Sequence, residues 1–326
     1  MNIENIPEEV LIWLYTTILK IRLVQLKIEE LYPQDEMKTP VHLCIGQEAV
    51  PAGVCANLTK DDYVFSNHRG HGHYIAKGGD LKAMIAELYC KETGCSRGRG
   101  GSMHLVDTSV GLLGSSSIVG GGISIAVGAA LGSVLQGKSK ISVCFFGDGA
   151  SEEGVFYESM NFAKLKNLAV IFVCENNFYS VYSHIEKREP NEDIFLRARA
   201  FDIPSYKVDG FNVMDVYLTS KKAIDDARTG KGPSLIECKV YRLRDHAGAG
   251  DTLKLKYRKL DELEKWVNRD PLRDFEKILL EKKIITDEKI NEINKKIISE
   301  IEDAFKYAKE SPLPDKREVM KYLFEE

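Results

Sequence analysis

Apolar positions along the chain follow two periods. Ile141 to Phe146, Ala169 to Cys174 and Ser234 to Val240 are short, largely apolar runs, the pattern of strands buried on both faces. Ile123 to Leu135, Glu152 to Leu165 and Asp215 to Thr229 have helical spacing instead, the first of them rich in small residues. Such strands alternating with helices predict a parallel sheet covered on both sides, a doubly wound α/β domain. Ahead of it, Leu11, Leu14, Ile18, Ile21 and Val24 to Leu26 predict that the first 31 residues are helical, up to a polar, Pro-containing turn from Tyr32 to Pro40. Gly46 to Leu58 then reads as a short helix, and Tyr63 to Phe65 as a strand.

From Asn67 to Gly122 the pattern breaks. This zone is dense in Gly, Ser and His, with one clear helix from Leu81 to Lys91. A stretch this long without regular structure is either functional or disordered, and its apolar and His content favours function. Beyond Leu260 the chain turns highly charged and helical. Asp287 to Lys309 carries Ile290, Ile293, Ile297, Ile298, Ile301 and Phe305 along one stripe, which marks a structural helix. The expected organisation is an α/β domain over residues 1–259 and a helical extension over 260–326.

Composition narrows the class. A chain of 326 residues with 44% hydrophobic and 29% charged residues is ordinary for a soluble globular protein. Its net charge of −4 offers nothing to draw in nucleic acid or an anionic membrane. No apolar run approaches the roughly 20 residues of a membrane span, and Met1 to Asn5 lacks a secretory start, so a cytoplasmic protein is expected. The seven cysteines are scattered; Cys144 and Cys174 sit in apolar runs, and Cys90 and Cys95 have no second pair, which predicts reduced thiols throughout.

The strongest chemical signal runs from Gly147 to Asn177. Gly147-Asp148-Gly149-Ala150 follows an apolar strand and precedes a helix, the place where open α/β sheets bind ligands. Glycine allows a sharp turn and a close approach, and free N–H groups at Gly149, Ala150 and the helix start can hold an anion. Asp148 offers carboxylate oxygen to a hard cation such as Mg²⁺. Asn177, just past the second strand, offers an amide oxygen, and Tyr179 a main-chain carbonyl. Either motif alone is an ordinary tight turn. Their pairing across one strand–helix–strand unit, which puts both at one sheet edge, is what points to a site.

This paired arrangement resembles the cofactor motif of thiamine-diphosphate enzymes, and the resemblance extends over nearly the whole chain. His42 to Ala49, His68 to Gly72, Gly98 to His104, Ile118-Val119-Gly120 and Tyr257-Arg258 follow in the order of the α-subunit of the first, decarboxylating component of 2-oxo acid dehydrogenase complexes, most closely the pyruvate and acetoin branch. The resemblance implies the thiamine-diphosphate-binding fold and a diphosphate–Mg²⁺ site built from Asp148, Asn177 and Tyr179. It implies that Arg69 contacts the diphosphate, that His68 lines the cofactor site and that Ser117 and Val119 hold the aminopyrimidine ring. His246, in a loop past the strand Ser234 to Val240, with His42 and His71, would handle protons, since imidazole titrates near neutral pH. His73, His104 and His184 are left structural.

Four departures from the family pattern bear on this, the first being Ser117, which replaces a residue that is commonly Gly or Asn in relatives. Asp245 stands where relatives carry Gly, and either raises the His246 pKa or faces solvent. Ala247 replaces a Ser that is phosphorylated in relatives under kinase control, so no such switch is expected. Ser180 replaces a small Gly or Ala.

The glutamate that activates the aminopyrimidine is expected from a separate β-subunit, because the chain is too short for a second α/β domain; Glu48 belongs to a motif that is structural in relatives. The implied assembly has two α and two β chains, with the small-residue helix Ile123 to Leu135 suited to close chain contact. The implied reaction is oxidative decarboxylation of a short 2-oxo acid, pyruvate first, with the acyl group passed to a lipoylated acyltransferase. An acetoin dehydrogenase α-subunit, or a two-chain thiamine-diphosphate carboligase of acyloin or transketolase type, is the alternative. Against a nicotinamide dehydrogenase, the chain has no Gly-x-Gly-x-x-Gly after a strand near the N-terminus, and a scaffold subunit has no need of Asp148, Asn177, Arg69 and His246.

Overall fold

The structure is a computed structural model, described here for residues 6–250, 257–318, 320 and 321. Its centre is a sheet of six parallel strands. These are β1 (Tyr63–Asn67), β2 (Leu112–Ser116), β3 (Ser142–Gly147), β4 (Val170–Asn176), β7 (Ser205–Asp209) and β8 (Ser234–Lys239); a small hairpin, β5 (Tyr179–Ser180) and β6 (Ser183–His184), stands apart. The order is β2-β1-β3-β4-β8-β7, so the chain reverses direction across the sheet between β1 and β3. Ligands of open α/β sheets bind at the carboxyl edge of such a switch point.

The alternation within the inner strands explains why both faces are covered. Val143 and Phe145 of β3, with Ile171 and Val173 of β4, point into one core; Cys144, Phe146, Phe172 and Cys174 point into the other. The first core is closed by α1 (Glu8–Leu31), α2 (Ala49–Cys55), α3 (His71–Ala76), α4 (Leu81–Leu88) and α7 (Val213–Arg228). The second is closed by α5 (Gly121–Leu135) and α6 (Gly154–Leu165). The charged C-terminal segment forms α8 (Leu260–Val267), α9 (Pro271–Glu281) and α10 (Asp287–Glu310). Leu263, Phe275, Ile293, Ile297 and Ile301 bury into the first core beside the α1 residues, so this extension shares a core with the sheet domain.

The expected doubly wound architecture is observed, with corrections at its margins. β2 and β7 are sheet edges with Gly, Ser, Lys and Asp among their residues, too polar for a pattern of continuous burial to reveal. α3 lies inside the zone read as irregular. β4 continues to Asn176 rather than ending at Cys174, and a short 3₁₀ turn, Asp148–Glu152, separates β3 from α6. The expectation for the first residues of the N-terminal helix lies outside the described residues. All seven cysteines are free. Among the described residues no helix is long and apolar enough to cross a membrane.

Candidate active site

A cleft opens over the carboxyl ends of β1, β3 and β4, lined by Asn67, His68, Arg69, Asp148, Asn177, Tyr179 and His246 among others. The local sequence shapes its floor. At the end of β4 the amide oxygen of Asn176 accepts from Phe178 N (3.0 Å) and that of Asn177 from Tyr179 N (3.3 Å). These consecutive side-chain turns bend the chain through a left-handed Phe178 (φ 68°) into the β5–β6 hairpin. Asn176 is tied away from the cleft by its bond to Glu237 (2.7 Å), which leaves Asn177 as the donor facing it. Asn67 makes the same kind of turn at the end of β1, accepting from Arg69 N at 2.8 Å.

The two glycines around Asp148 do different things. A Cβ on Gly149 would lie 2.6 Å from Ser180 Oγ, so only glycine lets the hairpin close against the Asp148 turn. A Cβ on Gly147 would meet nothing within 4 Å, and its φ of −85° is open to any residue, so the expected steric need does not exist there.

Asp148, 1% exposed, is bonded by the guanidinium of Arg188, which also pairs with Glu152. Burial raises the Asp148 pKa and Arg188 opposes that rise. Arg188 had no signal in the sequence: it sits in a polar loop, and only the hairpin brings it to Asp148. Asp148, Asn177 and Tyr179 line the same cleft from the ends of adjoining strands.

The opposite wall is basic. Arg69, 4% exposed, donates to the carbonyls of Leu43 (2.6 Å) and His246 (3.1 Å), stapling three segments with no carboxylate bonded to it among the described residues. It is therefore not the surface ion pair that an isolated Arg would suggest. Burial and the neighbouring Arg242 lower its pKa to about 9. Arg242, 1% exposed, donates to Val181 O at 2.8 Å, while its Nε and Nη1 are buried without a hydrogen-bond partner among the described residues. Burial and Arg258 lower its pKa to about 10. Buried, under-bonded guanidiniums fit an anion such as a diphosphate. Sequence reading passed over Arg242, although an Arg directly after the apolar run ending at Val240 was a usable signal.

His42, His68 and His246 converge beside these arginines. Burial, then Arg69, lowers their pKa values to about 4, 2 and 3. All three are therefore neutral near pH 7, a correction to the expectation of near-neutral titration. Asp245 is buried, so it does not face solvent, and it does not lift His246 into the imidazolium range. His71 is not in the cleft; it is fully buried between Gln25 (3.1 Å) and Ser102 (2.7 Å), the place of a structural residue rather than a proton handler. Glu48 is likewise internal, held by Arg22 and Gly46 N. Val119 lines the cleft rim, whereas Ser117 falls between the lining residues Ser116 and Ile118 without joining them. Ala150 and Gly149 line the floor.

A parallel α/β sheet with Asp148, Asn177, Arg69 and His246 gathered in one cleft at its switch point is the place where open α/β proteins bind ligands. The family described as dehydrogenase E1 component matches residues 17–317, and the chain belongs to it. The α-subunit of acetoin:2,6-dichlorophenolindophenol oxidoreductase from Bacillus subtilis (strain 168) is 42% identical over 318 residues, covering 97% of this chain and 94% of that one. The pyruvate dehydrogenase E1 component α-subunit of Porphyra purpurea is 38% identical, over 98% of this chain and 94% of its own. That of Rickettsia felis is 34% identical, over 94% and 93%. The resemblance drawn from the sequence motifs is thus borne out, and with it the reading of the chain as part of a thiamine-diphosphate-dependent oxidoreductase.

Proposed function

We propose that this chain is the α-subunit of an enzyme that oxidatively decarboxylates a short 2-oxo acid, pyruvate first, and passes the acyl group to a lipoylated acyltransferase. The observation that carries the reading is the cleft itself, lined by Asp148, Asn177 and Tyr179 together with Arg69 and His246, with Arg242 bonded to the lining residue Val181. Asp148, Asn177 and the Tyr179 carbonyl would hold Mg²⁺, and Arg69 and Arg242 the diphosphate. His68 and Val119 would line the ring sites, with Ser117 contributing main chain. The chemistry that thiamine diphosphate supplies when bound is a carbon nucleophile and an electron sink for a departing carboxylate. The chain's own part is to exclude water, fix the anion and present a neutral His246, which accepts a proton before it can donate one.

A β-subunit completes the enzyme by supplying the activating glutamate, in an assembly of two α and two β chains. The surface of α5 supports such packing: Ile125 is 56% and Leu135 78% exposed, and Gly128 and Gly132 have open space where a side chain would stand. We place the enzyme in the cytoplasm, where its free thiols stay reduced. Acetoin is the second substrate to test, because the Bacillus subtilis relative is named for it. The co-purified α and β chains, with thiamine diphosphate and Mg²⁺, should reduce 2,6-dichlorophenolindophenol with pyruvate and release CO₂. Dye reduction with acetoin and none with pyruvate would replace the decarboxylase reading with the acetoin one, and product formation by carboligation alone would replace both.

A further inference from the structure

His68 and His246 line the same cleft as Asp148 and Asn177, and the buried His42 packs edge-on against both rings. His42, His68 and His246 come from three separate segments, yet their ring centroids lie 4.8, 5.2 and 5.5 Å apart pairwise. One ring nitrogen from each lies within 4.8 Å of the other two. Nδ1 of His42 is buried and makes no well-formed hydrogen bond to any described residue, although the Pro40 main chain lies close enough to its ring to favour the protonated form. A buried polar atom left unbonded is costly, so a complement for it is expected. Handling a proton needs one imidazole at a time and gives no reason for three to converge around an unbonded nitrogen.

We propose that His42, His68 and His246 form a second metal site, separate from the Asp148 corner, that takes a late first-row divalent cation, Zn²⁺ above all, and silences the enzyme when filled. Imidazole nitrogen selects Zn²⁺ and its neighbours over Mg²⁺, which prefers oxygen. Zn–N bonds of about 2.0–2.1 Å put tetrahedral ligands roughly 3.4 Å apart, so the three rings need to close by only about 1–1.5 Å. Three protein nitrogens leave the fourth position open. Arg69 and Arg242 oppose the dication but favour an anion in that position, hydroxide or a substrate carboxylate. Affinity is accordingly expected in the micromolar range, that of a reversible inhibitor rather than of a structural ion. Silencing follows because the ion occupies the His246 and His42 nitrogens. That consequence rests on the functional reading above, whereas binding of the ion does not.

The test uses the assembled α and β chains, freed of metal by chelator and kept in excess Mg²⁺ so that the oxygen corner is satisfied. Co²⁺, added as a spectroscopic stand-in, should bind once per α chain with the intense visible absorption of a four-coordinate ion, and Zn²⁺ should bleach it. His68→Phe and His246→Ala should each abolish the band, while Asp148→Asn should retain it. Zn²⁺ should also raise the melting temperature of the parent protein and not of His68→Phe, and chelator should restore turnover. No band in the parent, or a band that survives His68→Phe, overturns the site; if that variant does not fold, His42→Gln decides in its place. Cobalt bound at this site in a protein that decarboxylates no 2-oxo acid upholds the site and overturns the functional reading instead.

Discussion

The two walls of the cleft are built in opposite ways. The oxygen corner comes from one strand–helix–strand unit, with Asp148 at the end of β3 and Asn177 just past β4. The nitrogen wall is assembled from residues near 42, 69 and 242–246, held together by the bonds of Arg69 to Leu43 and His246. The corner is anionic and paired with Arg188; in the wall Arg69 and Arg242 make no ion pair with a carboxylate among the described residues, and the imidazoles beside them stay neutral. Adjacent strands can place a carboxylate and an amide side by side without further help. A buried cluster of like charges is opposed by desolvation and mutual repulsion, so it depends on main-chain acceptors such as Leu43 O, His246 O and Val181 O to hold it.

Four measurements break or sharpen that contrast, in descending order of effect. Asp148→Ala should remove the corner: calorimetry should show cofactor binding in Mg²⁺ weakened on the order of 100-fold or more, since the only carboxylate of the oxygen set is gone. Full-affinity binding by this variant would end the metal assignment.

His246→Gln acts on the wall. Turnover should fall by about 10²–10⁴ while cofactor affinity stays close to the parent's, which is the mark of lost proton transfer rather than lost binding. An equal loss in both would make His246 a binding residue.

Arg242→Met should weaken thiamine diphosphate roughly 10- to 100-fold, the range of one charge-assisted hydrogen bond. Unphosphorylated thiamine should bind unchanged. A loss shared by both ligands would mean that Arg242 shapes the wall without touching the anion.

The smallest effect is on stability against pH. His42, His68, His71 and His246 have folded pKa values lowered to about 4, 2, 3 and 3, below an unfolded value near 6.5. The unfolded chain therefore binds more protons, and the stability these neutral rings retain above about pH 6.5 is lost as pH falls toward 4. Asp148, shifted upward, works the other way: folded Asp148 holds its proton more readily and softens the loss at the acid end. Melting curves between pH 7 and 4 should show the decline, shallower in His68→Phe. A slope that does not change in that variant would remove His68 from the neutral cluster.

Much of the corner was legible in the chain because inner parallel strands are apolar on both faces and end abruptly in Gly147-Asp148-Gly149 and Asn176-Asn177. The wall was legible only in part. Arg69 and His246 stood out through motif resemblance, but Arg242 passed as the lead-in to His246, and Arg188 gave no local sign. The edge strands β2 and β7 were missed because an edge needs less apolar surface, and His71 was taken for an active-site residue although Gln25 and Ser102, far away in sequence, hold it in the core.

By itself the sequence determined the alternation of strand and helix, the pairing of Asp148 with Asn177, and membership in the dehydrogenase E1 family, because all of these are written in local order and period. The tertiary structure alone decided which histidines meet, which arginines bury beside them against main-chain carbonyls and how far their charges hold the imidazoles neutral. Electrostatics in a buried cleft depends on distance and desolvation, and neither is set by position along the chain.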